Sequence, residues 1–187
     1  MATIINLFRG RGSGKDLFHA LLRPHIEVMY RMAYRWTQSQ ADAEDLVQDI
    51  LVRLALRVDE MQQVDILRPW LIKILYRRYV DLYRRQKNSP VEFEHDDWQP
   101  DEAEVGSRIE RAADSRDDIR QLDMQRTLLV AMGELEQNQR DVILLHDMEG
   151  YTALEVADIL DINVGTVKSR LHRARQKLKN FLTDGPF

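Results

Sequence analysis

The 187-residue chain contains no cysteine, which excludes disulfides and thiolate metal sites. Its five histidines are scattered without the paired spacing of metal ligands, so redox and zinc chemistry have no basis. No apolar run approaches membrane-spanning length. The opening Met1-Ala2-Thr3-Ile4-Ile5-Asn6-Leu7-Phe8 is too short for an export signal, and Arg9 and Arg11 follow it rather than precede it. An untargeted cytoplasmic protein that does not insert into a membrane is expected. Arg9-Gly10-Arg11-Gly12-Ser13-Gly14-Lys15-Asp16 has part of a phosphate-cradling loop, but that motif needs Gly at position 9 and Ser or Thr at position 16. No nucleophile, base and oxyanion arrangement emerges, so neither catalytic residues nor a cofactor or metal are expected.

Strand-like alternation is missing as well. What remains, 44% hydrophobic and 31% charged residues, suits a soluble helical protein of one or two small domains. Helical periodicity predicts helices over residues 16–23, 24–37, 41–57 and 69–86. Ser39 with Asp42 opens the third of these, and Pro69 suits the first position of the fourth. Val47, Ile50, Leu51 and Leu54 share one stripe, matched on the next helix by Leu67, Trp70, Leu71, Ile74 and Leu75. Residues 88–107 break the pattern with two prolines, seven carboxylates and no Lys or Arg, the composition of a linker. Residues 108–123 carry mixed charge with partial helical character. Amphipathic helices resume over 124–133 and 139–148. The expectation is an all-α chain: a helical domain at 1–87, an acidic flexible linker at 88–121, and a second helical domain at 122–187.

A net charge of −4 makes binding to nucleic acid through the bulk field unfavourable, so any such function needs segregated charge. Segregation is present: between Lys168 and Lys179 lie six Lys/Arg and no carboxylate. Thr152 and Glu155 fit a capping box, with Leu154, Ala157, Ile159 and Leu160 as packing positions and Asp161 as the stop. A second helix begins after Asn163, with Val164, Val167, Leu171, Ala174 and Leu178 as its apolar stripe. Opposite lie Ser169, His172, Arg173 and Gln176, flanked by Lys168, Arg170, Arg175 and Lys177. That is a helix-turn-helix pattern, in which a recognition helix reads base edges while flanking cations meet phosphates. A solvated basic hairpin is the plainer alternative, but six cations without carboxylates four residues away repel one another in a purely structural helix.

Two faces of the first domain invite a function. Asp45, Gln48 and Asp49 turn away from the apolar stripe of their helix, a docking face for a basic partner or a merely solvated acidic face near a helix N-terminus. Residues 68–87 hold seven Lys/Arg against the single carboxylate Asp81, interleaved with Trp70, Tyr76, Tyr79 and Tyr83. Cations can follow phosphates while rings stack on unpaired bases, each stack worth about 1–3 kcal/mol. Trp70 lies on the apolar stripe and is expected in the core.

These strings together resemble an extracytoplasmic-function sigma factor of the bacterial sigma-70 family, over most of the chain. Asp42-Ala43-Glu44-Asp45-Leu46-Val47-Gln48-Asp49 resembles the polymerase-binding helix of that family. Trp70-Leu71-Ile72-Lys73-Ile74 through Asp81-Leu82-Tyr83-Arg84-Arg85 resembles its minus-ten region. Gly165-Thr166-Val167-Lys168-Ser169-Arg170-Leu171-His172-Arg173-Ala174-Arg175 resembles its minus-thirty-five reader. The resemblance implies promoter-specific transcription initiation, with Asp45, Gln48 and Asp49 on the bacterial RNA polymerase core. Tyr76, Arg77, Arg78, Tyr79, Tyr83, Arg84, Arg85 and Lys87 would take the opened minus-ten strand. Thr166, Lys168, Ser169, Arg170, His172, Arg173, Arg175 and Lys177 would address the minus-thirty-five duplex. An anti-sigma factor as a further partner is implied by the resemblance alone, and the acidic linker is a candidate for the RNA exit path. With Phe187 soon after the recognition helix, no appended regulatory domain is expected. The chain departs from the family pattern at Leu135-Glu136, where Leu-Pro is frequent, at Asp161, where the turn usually has glycine, and at Arg77, where Asn is frequent. The alternative is a dimeric helix-turn-helix regulator that binds palindromic operators.

Overall fold

The structure, a computed structural model, describes residues 13–87, 127, 128 and 130–184. These divide into two compact units, one holding five helices together with Asp158–Asp161 and the other the rest of the C-terminal helices. No strand occurs among the described residues, as an all-α chain requires. None of the described helices is long and apolar enough to cross a membrane. The linker expected at 88–121 lies outside the described residues.

The first unit comprises α1 (Ser13–Leu22), α2 (Ile26–Thr37), α3 (Gln40–Ala55), α4 (Val58–Gln62) and α5 (Leu67–Lys87). Gln38 ends α2 in the left-handed region at φ 53°, and its N–H returns to the Tyr34 carbonyl. Ser39 then caps α3: its backbone is extended, and its hydroxyl oxygen accepts the Asp42 N–H at 3.3 Å. The sequence reading ran one helix through to residue 57. Instead α3 stops at Ala55 and a separate short turn, α4, follows, its start tied by two hydrogen bonds from Arg57 to Glu60 at 2.6 and 2.5 Å. Helix α5 begins at Leu67, so Pro69 lies inside its first turn rather than at its first position. The N–H that proline lacks has no helical partner there in any case.

The core of this unit comes from Val28, Met29, Met32, Ala33 and Trp36 of α2 and from Ala43, Leu46, Val47, Ile50, Leu51 and Leu54 of α3, closed by Leu71, Ile72 and Leu75 of α5. Helix α3 packs against both α2 and α5. Each fully buried aliphatic side chain contributes about 1.5–3 kcal/mol, so the stripe on α3 fixes which of its faces remains outward. One expectation needs correction: Trp70, Leu67 and Ile74 are only half-buried, and Ile72 takes the fully buried place. Trp70 instead lies under the Arg57 guanidinium, 5.9 Å from the ring centre, a cation–π contact that suits a half-exposed indole.

In the second unit a helical turn at 130–133 precedes α6 (Gln137–Ile143), which runs directly into a π-helical turn at Leu144–Met148. Then come α7 (Ala153–Leu160), of which Ala153–Ala157 belong to this unit, and α8 (Val164–Asp184). Glu136 has φ −59°, close to the value at which a proline ring locks the chain, so the backbone here suits the Leu-Pro pattern that the resemblance leads one to expect as well as the Leu-Glu present. Arg140, only 6% exposed, donates to the carbonyls of Met132, Gly133 and Leu135 and so satisfies the open end of the preceding helical turn. Nothing in the periodicity marked this arginine as an interior residue. Helix α6 packs against α8.

Candidate nucleic-acid interface

The helix-turn-helix forms from the local signals in the sequence. Thr152 and Glu155 make the reciprocal box: the Glu155 carboxylate accepts the Thr152 N–H at 2.7 Å, and the Thr152 hydroxyl oxygen accepts the Glu155 N–H at 3.2 Å. Asp161 stops α7 in the left-handed region at φ 56°, and the Ile162 N–H reaches back to the Ala157 carbonyl at 3.0 Å. Leu154, expected among the packing positions, is 71% exposed, and Val156 is fully buried in its place.

Helix α8 has the two sides that its period predicts. Val167, Leu171, Ala174 and Leu178 are buried, with Val164 half-buried. Lys168, Ser169, His172, Arg173, Gln176 and Lys177 are exposed, and Thr166 and Arg170 half-buried. The Ser169 hydroxyl donates to the Thr166 carbonyl at 3.0 Å, leaving its lone pairs outward. A groove of about 420 Å³ runs beside this face, lined in part by His146, Lys168, His172, Arg175 and Lys179.

The cations of α8 are not all uncompensated. Arg175 grips Asp147 with two hydrogen bonds, 2.9 Å from Nε and 2.6 Å from the terminal nitrogen, and His146 Nδ1 lies 2.8 Å from the same carboxylate. The Arg175 guanidinium holds the Asp147 carboxyl below its ordinary pKa, with His146 adding to the shift against an opposing effect of burial. Arg175 is in turn raised by Asp147. Lys177 Nζ donates to the Glu134 carbonyl. The neutralising carboxylate thus comes from the π-helical turn, 28 residues away in sequence and outside the reach of a rule that inspects only neighbours on one helix.

In the first unit, Asp45 is exposed while Gln48 and Asp49 are half-buried. Asp49 Oδ2 accepts Nε–H of Arg78 at 2.7 Å and forms an ion pair with Nε of Arg53 at 3.0 Å. Two apolar residues extend this outward stripe at helical spacing, Val52 at 55% and Leu56 at 87% exposure. Sequence reading missed them, although their places at seven and eleven residues past Asp45 put them on that face. Tyr76 and Tyr79 are half-buried against Trp36: the Tyr79 ring stacks on it at 5.8 Å and 18°, and the Tyr76 ring tilts at 5.1 Å. Arg77 is exposed. The side chains of Tyr83, Arg84, Arg85 and Lys87 lie outside the described residues.

With these surfaces in place, the chain can be set beside known proteins. The family model for sigma-70 region 2 matches residues 21–89, and that for sigma-70 region 4 matches residues 125–178. The RNA polymerase sigma-E factor of Streptomyces avermitilis is 30% identical over 166 residues, covering 88% of this chain and 84% of that protein. The ECF RNA polymerase sigma factor SigE of Mycolicibacterium smegmatis is 32% identical over 162 residues, covering 87% of this chain and 60% of the relative's length. Among solved structures, the sigma factor RpoE of Bartonella quintana, in complex with the anti-sigma factor NepR, is similar with a TM-score of 0.66 and 26% identity. That likeness covers 90% of this chain and 98% of the other. Motif order, paired helical units and the matched regions agree: the chain belongs to the extracytoplasmic-function sigma factors of the sigma-70 family.

Proposed function

We propose that this chain directs promoter-specific transcription initiation by joining the bacterial RNA polymerase core and supplying two DNA contacts. In this reading residues 1–87 form the domain for core docking and the minus-ten strand, 88–121 an acidic linker, and 122–187 the minus-thirty-five reader. The observation that carries it is the outward face of α8, where Lys168, Ser169, His172 and Arg173 stand exposed opposite a buried apolar stripe. Arg170 flanks the duplex backbone. Arg175 and Lys177, tied within their own unit, meet phosphates from a fixed position with reduced net charge. Thr166 lies at the start of the helix, where recognition helices approach bases.

Asp45, Gln48 and Asp49 offer acidic and amide groups to basic helices of the core. Tyr76, Arg77, Arg78, Tyr79, Tyr83, Arg84, Arg85 and Lys87 form the strip for the opened strand, with Tyr76 and Tyr79 braced on Trp36 and Arg77 presented to solvent. The chain acts in the cytoplasm by recruiting and positioning, without chemistry of its own. An anti-sigma factor that covers these surfaces is the expected restraint, in keeping with the complex in which the Bartonella relative was solved. A dimeric operator-binding regulator is disfavoured, because it leaves the unit matched by sigma-70 region 2 without a task. The test is reconstitution: purified chain and core polymerase should produce discrete transcripts from a library of bacterial promoters. Random initiation indistinguishable from core alone overturns the reading.

A further inference from the structure

Asp49 lies where two of the proposed surfaces meet. On α3 it shares the outward stripe with Asp45, one helical turn away, yet it holds Arg78, which belongs to the basic strip of α5. Arg78 donates to Oδ2 and Arg53 pairs ionically with the same oxygen, and among the described residues no hydrogen bond reaches Oδ1. The link to Arg78 is one N–H on one oxygen, unlike the two-bond fork of Arg175 on Asp147. Side-chain exposure is 34% for Asp49 and 20% for Arg78, so solvent and partners reach the carboxylate more readily than the guanidinium. A partly solvated pair with a single hydrogen bond is weak and readily exchanged.

We propose that Asp49 is an exchangeable latch. In the free chain it keeps Arg78 from nucleic acid. When a basic partner side chain settles on the Asp45–Asp49 face, it takes the open oxygen of Asp49, and Arg78 turns to a phosphate of the single strand. The proposal rests on the two faces assigned under the proposed function and adds the coupling between them. Thermodynamic reciprocity gives its sign: docking strengthens strand binding, and strand binding strengthens docking by the same factor. Arg77 beside it is exposed, with no such carboxylate partner among the described residues.

The latch is tested on the full chain without polymerase, by fluorescence anisotropy with a short labelled single-stranded oligonucleotide. Asp49→Ala, in mid-helix where alanine is well tolerated, should bind several-fold more tightly than the parent at low salt. Its salt dependence should steepen by about 0.7 in the log–log slope, the signature of one added phosphate contact on a single strand. The gain should vanish in Asp49→Ala/Arg78→Ala and be missing from Asp42→Ala, which removes the same charge from an exposed position on the same helix. Unchanged affinity and slope in Asp49→Ala overturn the latch. So does a gain that survives in the double variant, which reports only the altered field. Circular dichroism melts confirm that each variant is folded. Transcription by the parent chain is read separately, so failure of the latch leaves the sigma reading standing, and the reverse also holds.

Discussion

Arg173 stands on the face of α8 opposite Leu171 and Ala174, exposed and, among the described residues, without the carboxylate partner that Arg175 has. If it reads a base, Arg173→Ala should weaken upstream-element binding by the polymerase complex by about 1–3 kcal/mol, and only for templates carrying the cognate base. Equal loss on every template would mark it as a phosphate contact. Asp147 makes a prediction about pH. Its folded pKa lies below the ordinary 3.8, so the contribution of its pair with Arg175 is fully present above that value and is lost as pH falls through the folded value. Asp147→Asn should therefore melt below the parent at neutral pH, by a small margin because the pair is partly solvated, and the gap should close in strong acid. A gap of constant size across that range contradicts the assignment. The readable side of α8 was legible because a helix period dictates it. Its internal tethers were not, because Asp147 and Glu134 reach it through tertiary packing.

At the scale of elements, the turn between α7 and α8 can be tested directly. Asp161 occupies a left-handed conformation at φ 56° that glycine adopts more easily. Asp161→Gly should raise stability by about 0.5–1 kcal/mol in denaturant unfolding, the relief of backbone strain exceeding the added entropy of the unfolded chain. A loss of stability would mean that the aspartate side chain stabilises the turn. The caps at Ser39 and Thr152 were legible for the same reason as this stop: each involves residues at most five apart. The break between α3 and α4 carried no proline or glycine, so it escaped a reading based on punctuation. The π-helical turn at Leu144–Met148 has the composition of an ordinary helix and escaped it too. Trp70 was misplaced because an apolar stripe read from one helix does not say how that helix is rotated against its neighbours; Leu71, Ile72 and Leu75 set the rotation observed.

For the whole molecule, the proposed function depends on two modest DNA grips, one per proposed domain, brought together by a larger enzyme. Linking them through that enzyme makes the second contact effectively intramolecular, and avidity gains of about 10²–10⁴ follow without any new contact. The net charge of −4 agrees with weak binding by the free chain, since the net charge of the molecule repels DNA and attraction is left to local basic patches. The deciding measurement is the affinity of the purified chain for a promoter fragment with and without saturating core polymerase, at fixed salt. The account predicts little sequence-specific binding by the chain alone and a rise of at least about 100-fold in specific affinity with the core. Tight, sequence-specific binding by the chain alone, unchanged when the core is added, would contradict it.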